Sequence, residues 1–336
     1  MIIKVDADSK IPLFGLDYLG ILDRGTNVLE VKLSTICNLR CKYCFVSSGD
    51  YETDFEADPD YAIEWINRAI SLKGGSDIEI HIACYGESLL YPSLLDLIKK
   101  LRTINEITTI SLQTNGLLLN EDLIKKLDHA GCTRLNISLN SLDEMQCSEL
   151  CGVQKYNLDH LMNMFDKVLE SNMELLIAPV WFFGVNDKGI EDIIQLIKRY
   201  EEKGNKWPKI RLGIQNYLTY KTGRKIKRAI PREFSYFYKK LKDFEKKYDI
   251  KLKLGPNDFN IKKLTPIIPP VKENEYVHAI IRKEGRYHDE FIGVLEENTD
   301  WAIKILSKKP LKESERVEAL VIRGNLTGNL ITGLLM

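Results

Sequence analysis

Hydrophobic and polar residues alternate with period two in short stretches that recur along the first two thirds of the chain. Leu29 to Leu33, Ile78 to Tyr85, Thr109 to Gln113, Arg134 to Ser141, Glu174 to Trp181 and Ile210 to Asn216 each read as a strand. Between them the apolar period lengthens to that of an amphipathic helix, over Leu94 to Leu101, Asn120 to His129, Asp159 to Glu170 and Ile190 to Glu202. Repeated strand–helix units predict right-handed crossovers and a parallel sheet, an α/β fold. After Pro266, Pro269 and Pro270 the pattern changes. Tyr276 to Ile281, Phe291 to Leu295, Trp301 to Ile305, Arg316 to Ile322 and Leu330 to Leu335 read as short strands with polar turns between them, a small antiparallel β-barrel-like module.

Composition fits a two-part protein: 336 residues with 44% hydrophobic content suffice for one large core and a smaller one. The sequence contains no apolar run of about 18 residues and no leader pattern at its start, so a cytoplasmic protein with no membrane partner is expected. Seven cysteines in a chain of this length do not read as a disulfide framework. Lysine and arginine balance aspartate and glutamate at 48 each, but unevenly along the chain. Residues 50 to 64 carry seven acidic residues and no basic ones, and residues 221 to 270 carry fifteen basic against five acidic.

The first strand runs into Cys37-Asn-Leu-Arg-Cys41-Lys-Tyr-Cys44, at the end of a sheet where α/β enzymes keep their chemistry. Three close thiolates with no evident fourth suit an iron–sulfur cluster with one open iron. Zinc ligation would call for a fourth Cys or His nearby, and His81 is the nearest histidine beyond Cys44; three unrelated buried thiols are the remaining alternative. Cys147 and Cys151, one helical turn apart, read as packing thiols, and Cys132, ahead of its strand, falls at the opposite end of the sheet.

This Cys-x3-Cys-x2-Cys spacing, with Tyr43 before the last cysteine, resembles the radical S-adenosylmethionine (SAM) superfamily. The resemblance implies a partial (β/α)6 radical SAM barrel over residues 25–225, preceded by an N-terminal extension (1–24) and followed by a basic helical connector (226–270) and the β module (271–336). It implies a single [4Fe–4S] cluster on Cys37, Cys41 and Cys44, with SAM on the open iron, cleaved by one electron to methionine and a 5′-deoxyadenosyl radical. Gly86-Glu87-Ser88 is similar to the family's Gly-Gly-Glu-Pro segment, with Tyr85 and Ser88 replacing its first glycine and its proline. Gly86, Glu87 and Ser88 are thereby expected around the methionine end of SAM, Tyr43 against adenine, and Asn115, Ser138 and Asn140 near the polar part of the ligand. Such chemistry needs a reducing electron donor.

For the substrate, Lys221, Arg224, Lys225, Lys227 and Arg228 with Tyr217 and Tyr220 form a cationic and aromatic stretch suited to phosphates and bases. Gln215 and Asn216 lie at the sixth strand's tip, close to the expected radical. The terminal segment Glu315 to Ile322, followed by Asn325-Leu-Thr-Gly-Asn-Leu-Ile, resembles the RNA-binding TRAM domain, an OB-like fold. Together these predict modification of tRNA or another structured RNA, with modification of a peptide or protein as the alternative. Methylthiolation is disfavoured, because only about 25 cysteine-free residues precede the first strand.

Overall fold

The computed structural model describes residues 1–325 and 328–336, with the Asn325 side chain excluded. Leu326 and Thr327 of the TRAM-like motif lie outside the described residues. The chain divides into two compact units, one made of Met1–Ile36, Asp50–Ile110 and Ile261–Met336, the other of Cys37–Gly49 and Ser111–Asn260.

In the first unit, β1 (Ile2–Val5), β2 (Gly20–Asp23) and β3 (Val28–Lys32) precede β4 (Asp54–Ala57). They are followed by α1 (Pro59–Lys73), β5 (Ile78–Ile82), α2 (Leu94–Leu101) and β6 (Ile107–Thr114), which passes into the second unit after Ile110. Strand β3 pairs antiparallel with β2 and parallel with β5, while β1 and β4 form a separate parallel pair. Helix α1 starts within the acidic stretch because Asp58 caps the Asp60 and Tyr61 amides at 2.9 and 3.0 Å and Pro59 has no amide to satisfy. It stops at Gly74, whose φ of 63° suits glycine.

The second unit contains α3 (Glu121–Ala130), β7 (Arg134–Ile137), α4 (Glu144–Cys151), α5 (Leu158–Glu170), β8 (Glu174–Ile177), β9 (Val180–Trp181), α6 (Asp187–Glu202), β10 (Ile210–Leu212), β11 (Gln215–Asn216) and α7 (Phe234–Tyr248). Its strands run parallel in the order β6, β7, β8, β10. The expected strand 174–181 is two strands, interrupted at Pro179, which has no amide to donate to a ladder, and β9 pairs instead with β11. This is the sheet and helix succession of a partial (β/α) barrel.

The last stretch of the first unit is a closed five-stranded barrel of β12 (Tyr276–Glu284), β13 (Glu290–Leu295), β14 (Ala302–Leu306), β15 (Arg316–Asn325) and β16 (Leu330–Leu335), in the order β12-β13-β14-β16-β15. It is not wholly antiparallel as expected: β14 and β16 run parallel, because the crossing through β15 returns the chain in the same direction. The N-terminal segment packs on this barrel through backbone bonds from Ala302 to Phe14 and from Ile331 to Gly15. A Cβ at Gly15 would lie 1.8 Å from the Ala302 carbonyl oxygen, so only glycine allows the approach. Among the described residues no helix is long and apolar enough to cross a membrane.

One ion pair lies in this unit's interior. Lys73 Nζ donates to Asp23 Oδ1 at 2.5 Å, both side chains being fully inaccessible, and also to the Thr265 carbonyl at 3.2 Å. Asp23 accepts in addition from the Gly25 and Ile267 amides at 3.0 and 2.7 Å. Removing one partner strands the other without solvent, so Lys73→Met should lower the unfolding free energy by about 3–5 kcal/mol in urea denaturation, and a loss below about 1 kcal/mol would show that the pair is dispensable.

Glu290, 4% exposed, faces Lys304 at 3.6 Å. Burial raises its carboxyl to about 7 from an ordinary value of 4.5, opposed by Lys304 and assisted by Asp17. The folded chain therefore holds a proton that the unfolded chain has released, so this group favours folding less and less as pH rises from about 4.5 to about 7. Glu290→Gln should be nearly neutral at pH 4.5 and stabilising by roughly 3 kcal/mol at pH 8. Equal urea midpoints for the two proteins at pH 8 would contradict the assignment.

Candidate active site

The cysteine loop belongs to the second unit, which holds it by its backbone. The Arg40 and Lys42 amides donate to the Cys151 and Leu150 carbonyls at 3.2 and 2.8 Å, tying the loop to the end of α4. Helix α4 ends at Gly152 with φ 68°, where a Cβ would meet the Arg40 carbonyl oxygen at 2.3 Å. Within the loop the Cys44 amide turns back to the Cys41 carbonyl at 3.2 Å. From the segment after β11, Arg224 donates through Nε to the Cys41 carbonyl at 2.7 Å and through Nη2 to the Ser48 carbonyl at 3.1 Å, while its amide donates to the Cys44 carbonyl at 2.8 Å. Ser47 Oγ donates to the Thr222 carbonyl at 2.8 Å.

Tyr43 anchors the loop's aromatic position. Its ring packs on Phe182 at 4.8 Å, beside a core of Leu150, Phe182 and Tyr217. Its hydroxyl accepts from Asn140 Nδ2 at 2.7 Å. Asn140 Oδ1 accepts in turn from the Val180 amide at 2.8 Å, and Asn186 Nδ2 donates to the carbonyls of Asn140 and Val180 at 2.8 and 2.9 Å. Burial, then the Cys41 and Cys151 thiols, hold the Tyr43 phenol well above its ordinary value, so it stays neutral. Asn115 Nδ2 donates to Asn38 Oδ1 in the loop at 2.8 Å, and Ser138 Oγ accepts from Gln113 Nε2 at 3.1 Å.

The three cysteines share this loop without converging: among the described residues no three His, Cys, Asp or Glu side chains gather as a metal site. The Cys41 thiol hydrogen-bonds Cys151, and this bond, with burial added, holds it far above its ordinary value. The other two sulfurs already receive backbone donors, the Leu39 amide on Cys37 Sγ at 3.5 Å and the Ser48 amide on Cys44 Sγ at 3.4 Å, as the sulfurs of iron–sulfur ligands do. Three thiols on one loop, two of them with backbone donors, are by their chemistry a donor set that fits a cluster.

Gly86, Glu87 and Ser88 lie in the first unit. A Cβ on Gly86 would fall 1.9 Å from the Ile36 carbonyl oxygen, which accepts from the Glu87 amide at 2.8 Å. Glu87, 3% exposed, caps a single 3-10 turn by accepting from the Leu89 amide at 3.0 Å. Ser88 Oγ accepts from the Cys84 amide at 3.3 Å.

Of the expected substrate residues, Lys221, Lys225, Lys227, Arg228 and Gln215 are exposed. Asn216 is buried and donates to the Arg232 carbonyl at 2.7 Å. Arg224 is half-buried, with its guanidinium committed to the cysteine loop rather than to solvent. Sequence reasoning missed this role, as well as those of Asn38 and Asn186; the placement of Arg224 between tyrosines and lysines pointed to solvent, and the isolated asparagines carry no spacing signal.

A triplet of cysteines in one unit, two of their sulfurs with backbone donors, and a glycine–glutamate turn after a strand in the other define a class that sequence comparison independently supports. Residues 31–197 match the radical SAM superfamily. The chain belongs to that superfamily and is a SAM-binding enzyme. Among its relatives, the uncharacterized protein MJ0103 of Methanocaldococcus jannaschii is 32% identical over 305 residues, covering 84% of this chain and 70% of that protein. A GTP 3′,8-cyclase of Clostridium perfringens is 33% identical over 173 residues, so the chain spans 52% of the cyclase's length, and 52% of this chain is matched. The structure of Streptococcus suis SuiB bound to S-adenosylmethionine superposes with a TM-score of 0.51 at 19% identity, over 74% of this chain and 52% of that one, a likeness of fold.

Replacing Arg224 by Ala takes a charged donor from two loop carbonyls, each such bond being worth about 1.5–3 kcal/mol. Amide hydrogen exchange across residues 41–48 should accelerate by about tenfold or more in Arg224→Ala, with only partial recovery in Arg224→Lys. Unchanged exchange rates would mean that the loop is held without it.

Proposed function

We propose that this chain is a radical SAM enzyme that carries one [4Fe–4S] cluster and modifies a peptide or protein. Cys37, Cys41 and Cys44 would hold the cluster. Gly86, Glu87 and Ser88 would receive the methionine end of SAM, and Tyr43, Asn115, Ser138 and Asn140 would border the remainder. When bound, the cluster supplies the electron that cleaves SAM reductively, yielding methionine and a 5′-deoxyadenosyl radical able to abstract hydrogen from a substrate. The residues of this chain would orient SAM: Gly86 lets the turn close against the Ile36 carbonyl, and Glu87 offers a carboxylate for the ammonium. Asn140 holds Tyr43, and through it the loop, in place.

The observation that supports a peptide substrate is the surface next to the cysteine loop. Phe45, Leu218, Tyr220, Ile230 and Phe234, all in the second unit, are 44–50% exposed. Phe45 and Tyr220 pack on each other at 5.7 Å and 52°, rather than offering parallel faces to a stacked base, and Leu218 and Ile230 have no π-face to offer. Exposed aromatic and aliphatic side chains suit the side chains of a polypeptide. Arg224, within the basic run, has its guanidinium on the loop, which weakens the case for a phosphate track.

Modification of tRNA or another structured RNA is the second reading. It is favoured by exposed Lys221, Lys225, Lys227 and Arg228, and a closed five-stranded terminal barrel is the kind of module an OB-like reading requires. Anaerobically reconstituted protein, given SAM and a chemical reductant, should produce a SAM-dependent mass change in a cellular peptide and protein fraction and none in tRNA. The same change in tRNA alone would transfer the assignment to RNA.

A further inference from the structure

The turn between β12 and β13 carries a charge for which the described residues offer no counter-ion. Arg286 is 3% exposed, and among the described residues its Nε, Nη1 and Nη2 have no hydrogen-bond partner. Its guanidinium lies 5.2 Å from the Tyr51 ring centroid and 5.4 Å from that of Tyr85. Tyr287 packs edge-on against Tyr51 at 4.9 Å. These residues all belong to the first unit, and Tyr85 directly precedes Gly86 and Glu87.

The neighbouring charges are already matched. Lys304 pairs with Asp17 at 3.0 Å and with Glu290 at 3.6 Å, and Lys32 pairs with Glu30 at 2.7 Å. Glu290 faces Arg286 through its backbone, accepting the Arg286 amide at 3.3 Å, and leaves the guanidinium unbonded. Aromatic rings attract a cation but satisfy none of its N–H groups, and a buried guanidinium with three unpaired nitrogens is costly unless an acceptor completes it. Tyr51, Tyr85 and Tyr287 are only half-buried, so the group lies beneath a partly accessible aromatic surface.

We infer that Arg286 is a carboxylate-binding residue, framed by Tyr51, Tyr85 and Tyr287, that anchors a terminal or side-chain carboxylate of the substrate next to the SAM-binding turn. The inference rests on the peptide reading for the identity of the ligand. One unmatched positive charge calls for one negative charge, and a guanidinium edge presents parallel N–H donors to the two oxygens of a carboxylate. A terminal phosphate would bring a second charge with no cation left to meet it. A polynucleotide phosphodiester carries a nucleoside on either side and would have to bring both beneath the aromatic surface, whereas a carboxylate ends its own tether.

The test is thermal unfolding of the full chain at pH 7 and constant ionic strength, titrated with N-acetylglycine, with the uncharged N-acetylglycinamide, and with inorganic phosphate. In wild-type protein N-acetylglycine should raise Tm in a saturable way while the amide and phosphate do not. In Arg286→Met the unliganded Tm should rise, because an unmatched buried charge is gone, and the apparent Kd for N-acetylglycine should increase at least about tenfold; Arg286→Lys, which keeps the charge without the fork, should fall between. A lower unliganded Tm or failure to fold in Arg286→Met would make the residue a structural element and overturn the inference. An equal response to phosphate, no response to N-acetylglycine, or an unaltered response in Arg286→Met would overturn it as well. If the carboxylate response is found and lost as expected while peptide fractions remain unmodified, the carboxylate site stands and the peptide reading fails.

Discussion

The backbone of Gly86 runs so close to Ile36 that its missing side chain is a condition of the fold: a Cβ there would sit 1.9 Å from a carbonyl oxygen. This contact joins the turn after β5 to the last residue before the cysteine loop. The Glu87 amide bonds the same Ile36 carbonyl, which fixes where the loop departs. Glu87 is then held by the turn it caps, so its carboxylate has a defined direction without relying on a ligand. The backbone approach comes first and the polar chemistry is built upon it.

The cysteine loop shows the complementary solution. It has no regular secondary structure, and its carbonyls and amides find partners in α4 and in Arg224 rather than in a ladder. Long polar side chains that would ordinarily face solvent are drawn inward to do this. Asn140 serves both sides of the arrangement, giving its amide to Tyr43 and its carbonyl oxygen to the strand that resumes after Pro179. A single asparagine thus ties loop position to sheet position, and polar residues near a presumed ligand acquire a structural duty that composition does not reveal.

The strands legible from alternation, such as Leu29 to Leu33 and Arg134 to Ser141, form within a few residues of the expected limits, because burial on a pleated sheet imposes period two whatever the partner. Leu94–Leu101 matches its expected helix for the same kind of reason. Helix α1 escaped notice since its acidic face read as a charge block, although Asp58, Pro59 and Gly74 marked both ends. The parallel β14–β16 pair was hidden because strand direction is set by connectivity, to which local periodicity is blind. Among the candidate site residues, the cysteines stood out in the sequence by their spacing and Gly86-Glu87 by resemblance to a family segment. Arg224 and Arg286 did not, since their partners come from residues 176 or more positions away in one case and from aromatic rings in the other.

The first unit is discontinuous along the chain, and its early residues lean on late ones: Phe14 and Gly15 bond to Ala302 and Ile331, and Asp23 receives Asn329 against its amide at 2.9 Å. A ribosome releases Gly15 some 300 residues before Ile331, which at about 5–20 residues per second leaves the opening segment without its partners for a period of tens of seconds. During that interval residues 111–260, which with Cys37–Gly49 make up the second unit, emerge as one continuous stretch. Strands β1 and β2 find their ladder partners within the first 57 residues, whereas Phe14, Gly15 and the Asp23 amide wait for the end of the chain, so this part of the unit closes in two stages.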